Sequence, residues 1–172
     1  MAFLRKVRSS VPRKRASPLK SAPSVPTTSG REVDYGPLNT RLGYGLRRAQ
    51  IAIFADFFVT FAAVDIRPVQ YSILTIIEQN PGLFQTQVAD SLGIKKTNFV
   101  AMIVALEKRG LVKRVPLEHD KRSYGLYLTD QGAALMPELH GLASAHEARI
   151  IERIGAETHA ALFAPMKAIA AL

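Results

Sequence analysis

Residues Leu83 to Gly132 read LFQTQVADSLGIKKTNFVAMIVALEKRGLVKRVPLEHDKRSYGLYLTDQG, and the fold of the whole chain turns on them. Gln85 to Leu92 predict a short helix, Gly93-Ile94 a turn, and Lys96 to Arg109 a second helix that Gly110 ends. In that second helix Phe99, Met102, Ile103 and Leu106 recur at i, i+3, i+4 and i+7, so they share one face, which buries against Val88 and Leu92. Leu111 to Pro116 and Ser123 to Thr129 predict two strands around the charged tip His119-Asp120-Lys121-Arg122-Ser123. Tyr124, Leu126 and Leu128 alternate with polar or small residues, which predicts one buried face on the second strand. Helix, turn, helix and ribbon in this order make a winged helix-turn-helix, a fold that lays its second helix in the DNA major groove.

The opening turn of that helix carries the groups that reach base edges in such a fold: Lys95, Lys96, Thr97 and Asn98, with Val100 one turn on. Asparagine can pair with adenine through two hydrogen bonds, and threonine can donate, accept, or offer its methyl to thymine. The plainer alternative is that Lys96 or Thr97 only caps the helix. At the hairpin tip, Arg122 suits a narrow and negative minor groove, and the neighbouring Asp120 can preset its direction. The plainer alternative there is solvated charge.

Four segments, Leu92-Gly93-Ile94, Leu106-Glu107-Lys108-Arg109-Gly110-Leu111-Val112, Asp120-Lys121-Arg122-Ser123 and Leu128-Thr129-Asp130-Gln131-Gly132, occur in an order and spacing that resembles the MarR family of bacterial regulators. The resemblance covers roughly Thr40 to the C-terminus. It implies that Arg122 is the wing arginine that enters the minor groove, that Asp120 holds it, and that Lys121 lies beside them on the DNA. It also implies a homodimer built from the first helix and the last two, and a small aromatic acid as effector, bound in a cleft between those helices and the DNA-binding part. Ile94 to Val100 are further similar to the branch that answers hydroxycinnamoyl-CoA thioesters such as coumaroyl-CoA. One departure stands out: Val100, Ala101, Val104 and Ala105 occupy the outward face of the helix, where relatives carry more polar and arginine residues. Either this face packs on thymine methyls, or base reading is concentrated at Lys95 to Asn98.

Composition agrees with a polyanion partner. The 172 residues carry a net charge of +9, are 48% hydrophobic, and include no cysteine, which removes disulfides and thiolate metal sites. No apolar run is long enough to span a bilayer, so no membrane is expected. Residues 1–36 differ in kind: Pro12, Pro18, Pro23 and Pro26 recur among Ser and Thr, and eight basic residues face only Glu32 and Asp34. Such a composition predicts a disordered basic arm. It has three readings: a DNA-binding arm, an inert tail, or an organellar transit peptide, which its prolines and a bacterial family oppose.

Thr40 to Ala63 predict the first helix, with Leu42, Leu46, Ala49, Ile53 and Phe57 on one stripe and Phe54, Phe58 and Phe61 on a second. That is more apolar surface than one core contact needs, so a partner should cover part of it. Gly43 and Gly45 within it suggest close approach of a partner backbone or a ligand. Pro68 should open a helix to about Gln79, closed by Asn80-Pro81-Gly82, with Leu74, Ile76 and Ile77 in the core and Tyr71 in core or pocket. A long helix follows Thr129 to Gly155, and an alanine-rich one runs from Glu157 to Leu172, which Pro165 should bend or split.

The expected organisation is therefore mainly α with a small β-wing: a winged helix-turn-helix over 67–129, and N- and C-terminal dimerisation helices over 37–66 and 130–172. Candidate ligand residues are Tyr44, Arg47, Arg48, Phe54, Phe58 and Tyr71, the arginines for a carboxylate or CoA phosphates and the rings for stacking. No enzyme, cofactor or metal is expected, because His119, His140, His146 and His159 show no ligand spacing and no nucleophile elbow or phosphate loop occurs. The function expected is a cytoplasmic, nucleoid-associated, ligand-responsive dimeric repressor on a pseudo-palindromic operator. The alternative is an architectural DNA-binding protein with little sequence preference and no effector.

Overall fold

The computed structural model describes residues 33–117 and 120–172, with side chains at 33–116 and 124–172. The chain divides after Gly36, and every helix and strand named below lies in the unit Pro37–Leu172. Of the basic arm, residues 1–32 lie outside the described residues.

Among the described residues, a 3-10 turn at Gly36–Thr40 leads into six α-helices and one two-stranded sheet: α1 Leu42–Thr60, α2 Pro68–Gln79, α3 Gln85–Ser91, α4 Lys96–Lys108, β1 Val112–Leu117, β2 Asp120–Leu128, α5 Asp130–Ile154 and α6 Ala156–Ile169. Each boundary has a local cause. Pro68, which needs no N–H partner, opens α2, and the Gln70 side chain reaches back to accept from the Arg67 backbone N–H at 2.9 Å. The turn between α3 and α4 passes through Gly93 at φ +63, a conformation that a residue with a Cβ adopts only under strain. Gly155 separates α5 from α6.

The core is built from one face of each element. Phe57 of α1 and Phe61 just after it, Ile73, Leu74 and Ile77 of α2, and Val88 of α3 are buried. Phe99, Ile103 and Leu106 of α4, Leu126 of β2, and Met136 and Leu139 of α5 join them. The stripe expected on α4 is thus the buried one, with Met102 half-buried at its edge.

Three expectations need correction. The strands pair further than predicted, from Val112↔Leu128 to Leu117↔Asp120, so Asp120 to Ser123 belong to β2 and not to a loop. Ladder pairing is a backbone property and does not require apolar side chains. Of the face expected to be buried on β2, Leu126 is fully buried and Leu128 half-buried against the core, but Tyr124 is 43% exposed. A third strand-like contact is made at Leu126: Gly82 N–H donates to the Leu126 carbonyl (2.8 Å) and Leu126 N–H to that of Leu83 (2.9 Å). Pro165 does not split α6, which continues through it to Ile169. Gly43 and Gly45 have nothing of their own chain within 4 Å of where a Cβ would sit, so they open outward from the described residues.

Candidate nucleic-acid interface

The buried face of α4 fixes what its other face presents. Phe99, Ile103 and Leu106 hold the helix against the core, and Lys95, Lys96, Thr97 and Asn98 are left exposed, with Val100 48% exposed one turn on. The N-cap is Lys95, and no side chain caps the helix, so neither Lys96 nor Thr97 serves that purpose. Ala101 and Ala105 are exposed as well, and Val104 is half-buried. Beside them lies an open cleft of about 720 Å³, between the start of α2 and this side of α4, with Arg67, Gln70, Asn98 and Lys108 on its walls. Arg109 is tied at the cleft edge by donating to the carbonyls of Val64 (2.8 Å) and Asp65 (2.6 Å).

The wing is anchored by a residue that sequence inspection passed over. Arg114 of β1 meets Glu107 of α4 at 3.0 Å and donates to Gln85 of α3 at 3.3 Å, which locks ribbon, α4 and α3 to one another. Its only sequence signal is an arginine on a strand two residues before a proline, which is no signal at all. The side chains of Asp120, Lys121 and Arg122 lie outside the described residues, while their backbone pairs in β2.

The six candidate ligand residues fall in different places. Arg47, Phe54 and Phe58 line one groove of about 390 Å³ together with Gln50, Ile51 and Ala55, all on the outward face of α1. A single helix cannot supply the second wall of such a groove. Tyr71 lies on the opposite, inward side, with its ring 5.6 Å from that of Phe61 and 6.3 Å from that of Phe57. Tyr44 and Arg48 line neither the groove nor the α4 cleft.

Around Tyr71 the structure assembles polar pairs that the sequence kept far apart. The Tyr71 hydroxyl donates to Nδ1 of His140 (3.1 Å), whose Nε2–H donates to Glu78 (2.8 Å), joining α2 to α5. His146, buried on α5, donates from Nδ1 to Asp56 of α1 (2.6 Å) and stands edge-on to the Phe57 ring. Arg149 grips the same carboxylate through Nε (3.0 Å) and Nη2 (2.7 Å), and its guanidinium also reaches Thr60. The Arg149 hydrogen bond, seconded by that from His146, holds the Asp56 carboxyl at about 2, below its ordinary 3.8, against a burial that alone would raise it. His159 pairs with Glu147 and so ties α6 to α5. Each described histidine therefore has a carboxylate partner, and none of those partners is a sequence neighbour.

A family profile described as MarR family matches residues 64–123, from the end of the α1–α2 turn to the wing. The structure superimposes on the transcriptional repressor CouR bound to a 23-mer DNA duplex with a TM-score of 0.77. The two are 42% identical, over 81% of this chain and 99% of that one. This chain belongs to the MarR family. A second structure of CouR, bound to p-coumaroyl-CoA, gives a TM-score of 0.74 at 41% identity, covering 81% of this chain and 98% of that one. Among curated proteins, a protein described as the transcriptional regulator of the hcr operon of Thauera aromatica is 32% identical over 63% of this chain and 66% of its own length. As a MarR-family protein the chain is a transcriptional regulator with a winged helix-turn-helix, built here from α3, α4 and the ribbon. No helix among the described residues is long and apolar enough to cross a membrane.

Proposed function

We propose that this chain is a ligand-responsive repressor. Two copies hold a pseudo-palindromic operator through α4 and the wing, and release it when they take up an aromatic acyl-CoA thioester of the hydroxycinnamoyl type. One observation carries the reading: a repressor solved both on a DNA duplex and with p-coumaroyl-CoA shares this fold at 41–42% identity over nearly its whole length.

The apolar surface of the single chain supports the two-fold assembly. Ile51, Phe54, Phe58 and Val59 of α1 are exposed, as are Leu162, Phe163 and Met166 of α6, and no residue of α6 is buried. Patches of this kind mark association surfaces. Pairing α1 and α6 across a two-fold axis would bury them and set two copies of α4 about one DNA turn apart, near 34–36 Å. On the operator, Lys95, Lys96, Thr97, Asn98 and Val100 would enter the major groove, and Arg122, preset by Asp120 and flanked by Lys121, the minor groove.

The partner would also supply the missing wall of the α1 groove, where Phe54 and Phe58 offer rings to an aryl group and Arg47 a cation to phosphates. Arg48 and Tyr44 on the same helix, and Tyr71 behind it, are the remaining candidates for contact. Such a protein acts where the operator is, on the nucleoid in the cytoplasm.

The test selects an operator from random DNA with the full-length protein and follows release by fluorescence anisotropy. A preference of about 10³-fold or more over random duplex is expected. Micromolar p-coumaroyl-CoA should dissociate the complex, whereas free coumarate and free CoA should not. A protein without operator preference would instead be architectural. Release by the free acid would move the effector to the simple aromatic acids.

A further inference from the structure

The outward strip of α4 is unusual for a surface that reads DNA. Thr97, Ala101, Val104 and Lys108, at i, i+4, i+7 and i+11, run along the side opposite the buried Phe99, Ile103 and Leu106. Between Thr97 and Lys108 this side offers only Val100, Ala101, Val104 and Ala105. None of those side chains can donate or accept a hydrogen bond. Yet Val100 stays 48% exposed, and Ala101 and Ala105 open onto the 720 Å³ cleft. An exposed apolar strip on a helix otherwise fixed by its core needs an occupant.

Charge indicates which occupant. Lys95 and Lys96 stand at one end of the strip, and Lys108 with Arg67 at the other and across the cleft, all exposed. Cations at the margins and an apolar centre match a major groove seen end to end: phosphates at its two edges, base edges along its floor. That floor carries one apolar group, the 5-methyl of thymine. Alanine and valine are also short, so the helix axis can come close to the floor. We propose that α4 reads its operator chiefly through thymine methyl groups, with Val100 as the main contact and Ala101 beside it. Hydrogen-bonded readout is then left to Thr97 and Asn98. This rests on the repressor reading above and adds the chemistry by which the operator is told from other DNA.

The experiment uses the full-length protein and the selected operator, with each thymine replaced in turn by deoxyuridine, which removes the methyl and leaves the pairing unchanged. Burying a methyl predicts about 4-fold weaker binding per methyl lost at one or two positions of a half-site, and about 15-fold when both half-sites are altered. Val100→Ala, at an exposed site where the fold is not at risk, should bind thymine and uridine operators within about 2-fold of each other at those positions, and its melting curve should match the wild type. Uridine tolerated everywhere on an operator still preferred about 10³-fold over random DNA would overturn the methyl reading and leave the repressor intact. Sensitivity to uridine that Val100→Ala does not reduce would overturn the assignment to Val100. No preference over random DNA would remove the repressor reading itself, and this proposal with it.

Discussion

The joint between wing and α5 can be tested with three substitutions at two residues. Thr129 is the N-cap of α5: its hydroxyl accepts from the Gly132 N–H (3.0 Å) and donates to the Gly110 carbonyl. Its own N–H donates to the Leu111 carbonyl at 3.1 Å. Four elements therefore meet at one residue: the end of α4, the start of β1, the end of β2 and the start of α5. Thr129→Ala loses an N-cap worth about 1 kcal/mol and leaves the Gly110 carbonyl without its hydroxyl partner, about 1 more, for a total of about 2 kcal/mol. Thr129→Ser keeps both bonds and should lose less than about 1 kcal/mol. Gly132→Ala acts by collision: its Cβ would lie 2.1 Å from the Leu111 carbonyl oxygen, where ordinary contact begins near 3.4 Å, and backbone cannot rotate aside. Overpacking of this kind costs about 1–3 kcal/mol, and the better helix propensity of alanine returns only about 1. The Gly132 clash is with backbone and lies at the upper end of that range, for a net loss of about 2 kcal/mol; at about 2–4 °C per kcal/mol for a domain of this size, Thr129→Ala and Gly132→Ala should each lower Tm by about 4–8 °C. Calorimetric or circular-dichroism melts at one fixed protein concentration read this, since association also shifts Tm. A Gly132→Ala protein as stable as the wild type, or Thr129→Ser as damaging as Thr129→Ala, would refute the reasoning.

Asp56→Asn should destabilise the protein at neutral pH. The carboxyl is held at about 2, below 3.8, so its contribution is fully present above pH 4 and fades as pH falls through 2. Because the side chain is 38% exposed, solvent screening reduces the effect to about 1 kcal/mol. The gap in urea midpoint between variant and wild type should close between pH 5 and about pH 2, and a gap independent of pH would mean that the ion pair contributes nothing. Phe163→Glu, at a position 60% exposed in the single chain, should weaken dimerisation by at least about 30-fold in sedimentation equilibrium while leaving helix content unchanged. Arg122→Ala should cost about 1–3 kcal/mol of operator affinity without changing Tm, and wild-type affinity would reduce the wing tip to solvated charge. Deleting residues 1–36, with their eight basic side chains, should flatten the slope of log K against log salt by about two to four units, equally on operator and random DNA. An unchanged slope would make the segment a passenger.

What could be read from the sequence was what depends on near neighbours along the chain. The buried stripe of α4 follows from a 3.6-residue period that a helix turns directly into one face, and Pro68, Gly93 and Gly155 mark boundaries because proline and glycine restrict or release the backbone at their own positions. The winged helix-turn-helix could be read because its motifs lie within fifty consecutive residues. Tertiary structure decided whatever joins residues far apart. His146 meets Asp56 across 90 positions, and His140 meets Glu78 across 62; no spacing rule reaches that far, and each histidine taken locally has no partner. The same holds for Arg114, whose partners on α3 and α4 make the wing rigid, and for the separation of Tyr71 from Arg47, Phe54 and Phe58 onto opposite sides of α1. For α4 the sequence already placed Val100, Ala101, Val104 and Ala105 on the outward face; only tertiary structure showed that Ala101 and Ala105 open onto a cleft with Arg67 across it, because that wall comes from a distant part of the chain.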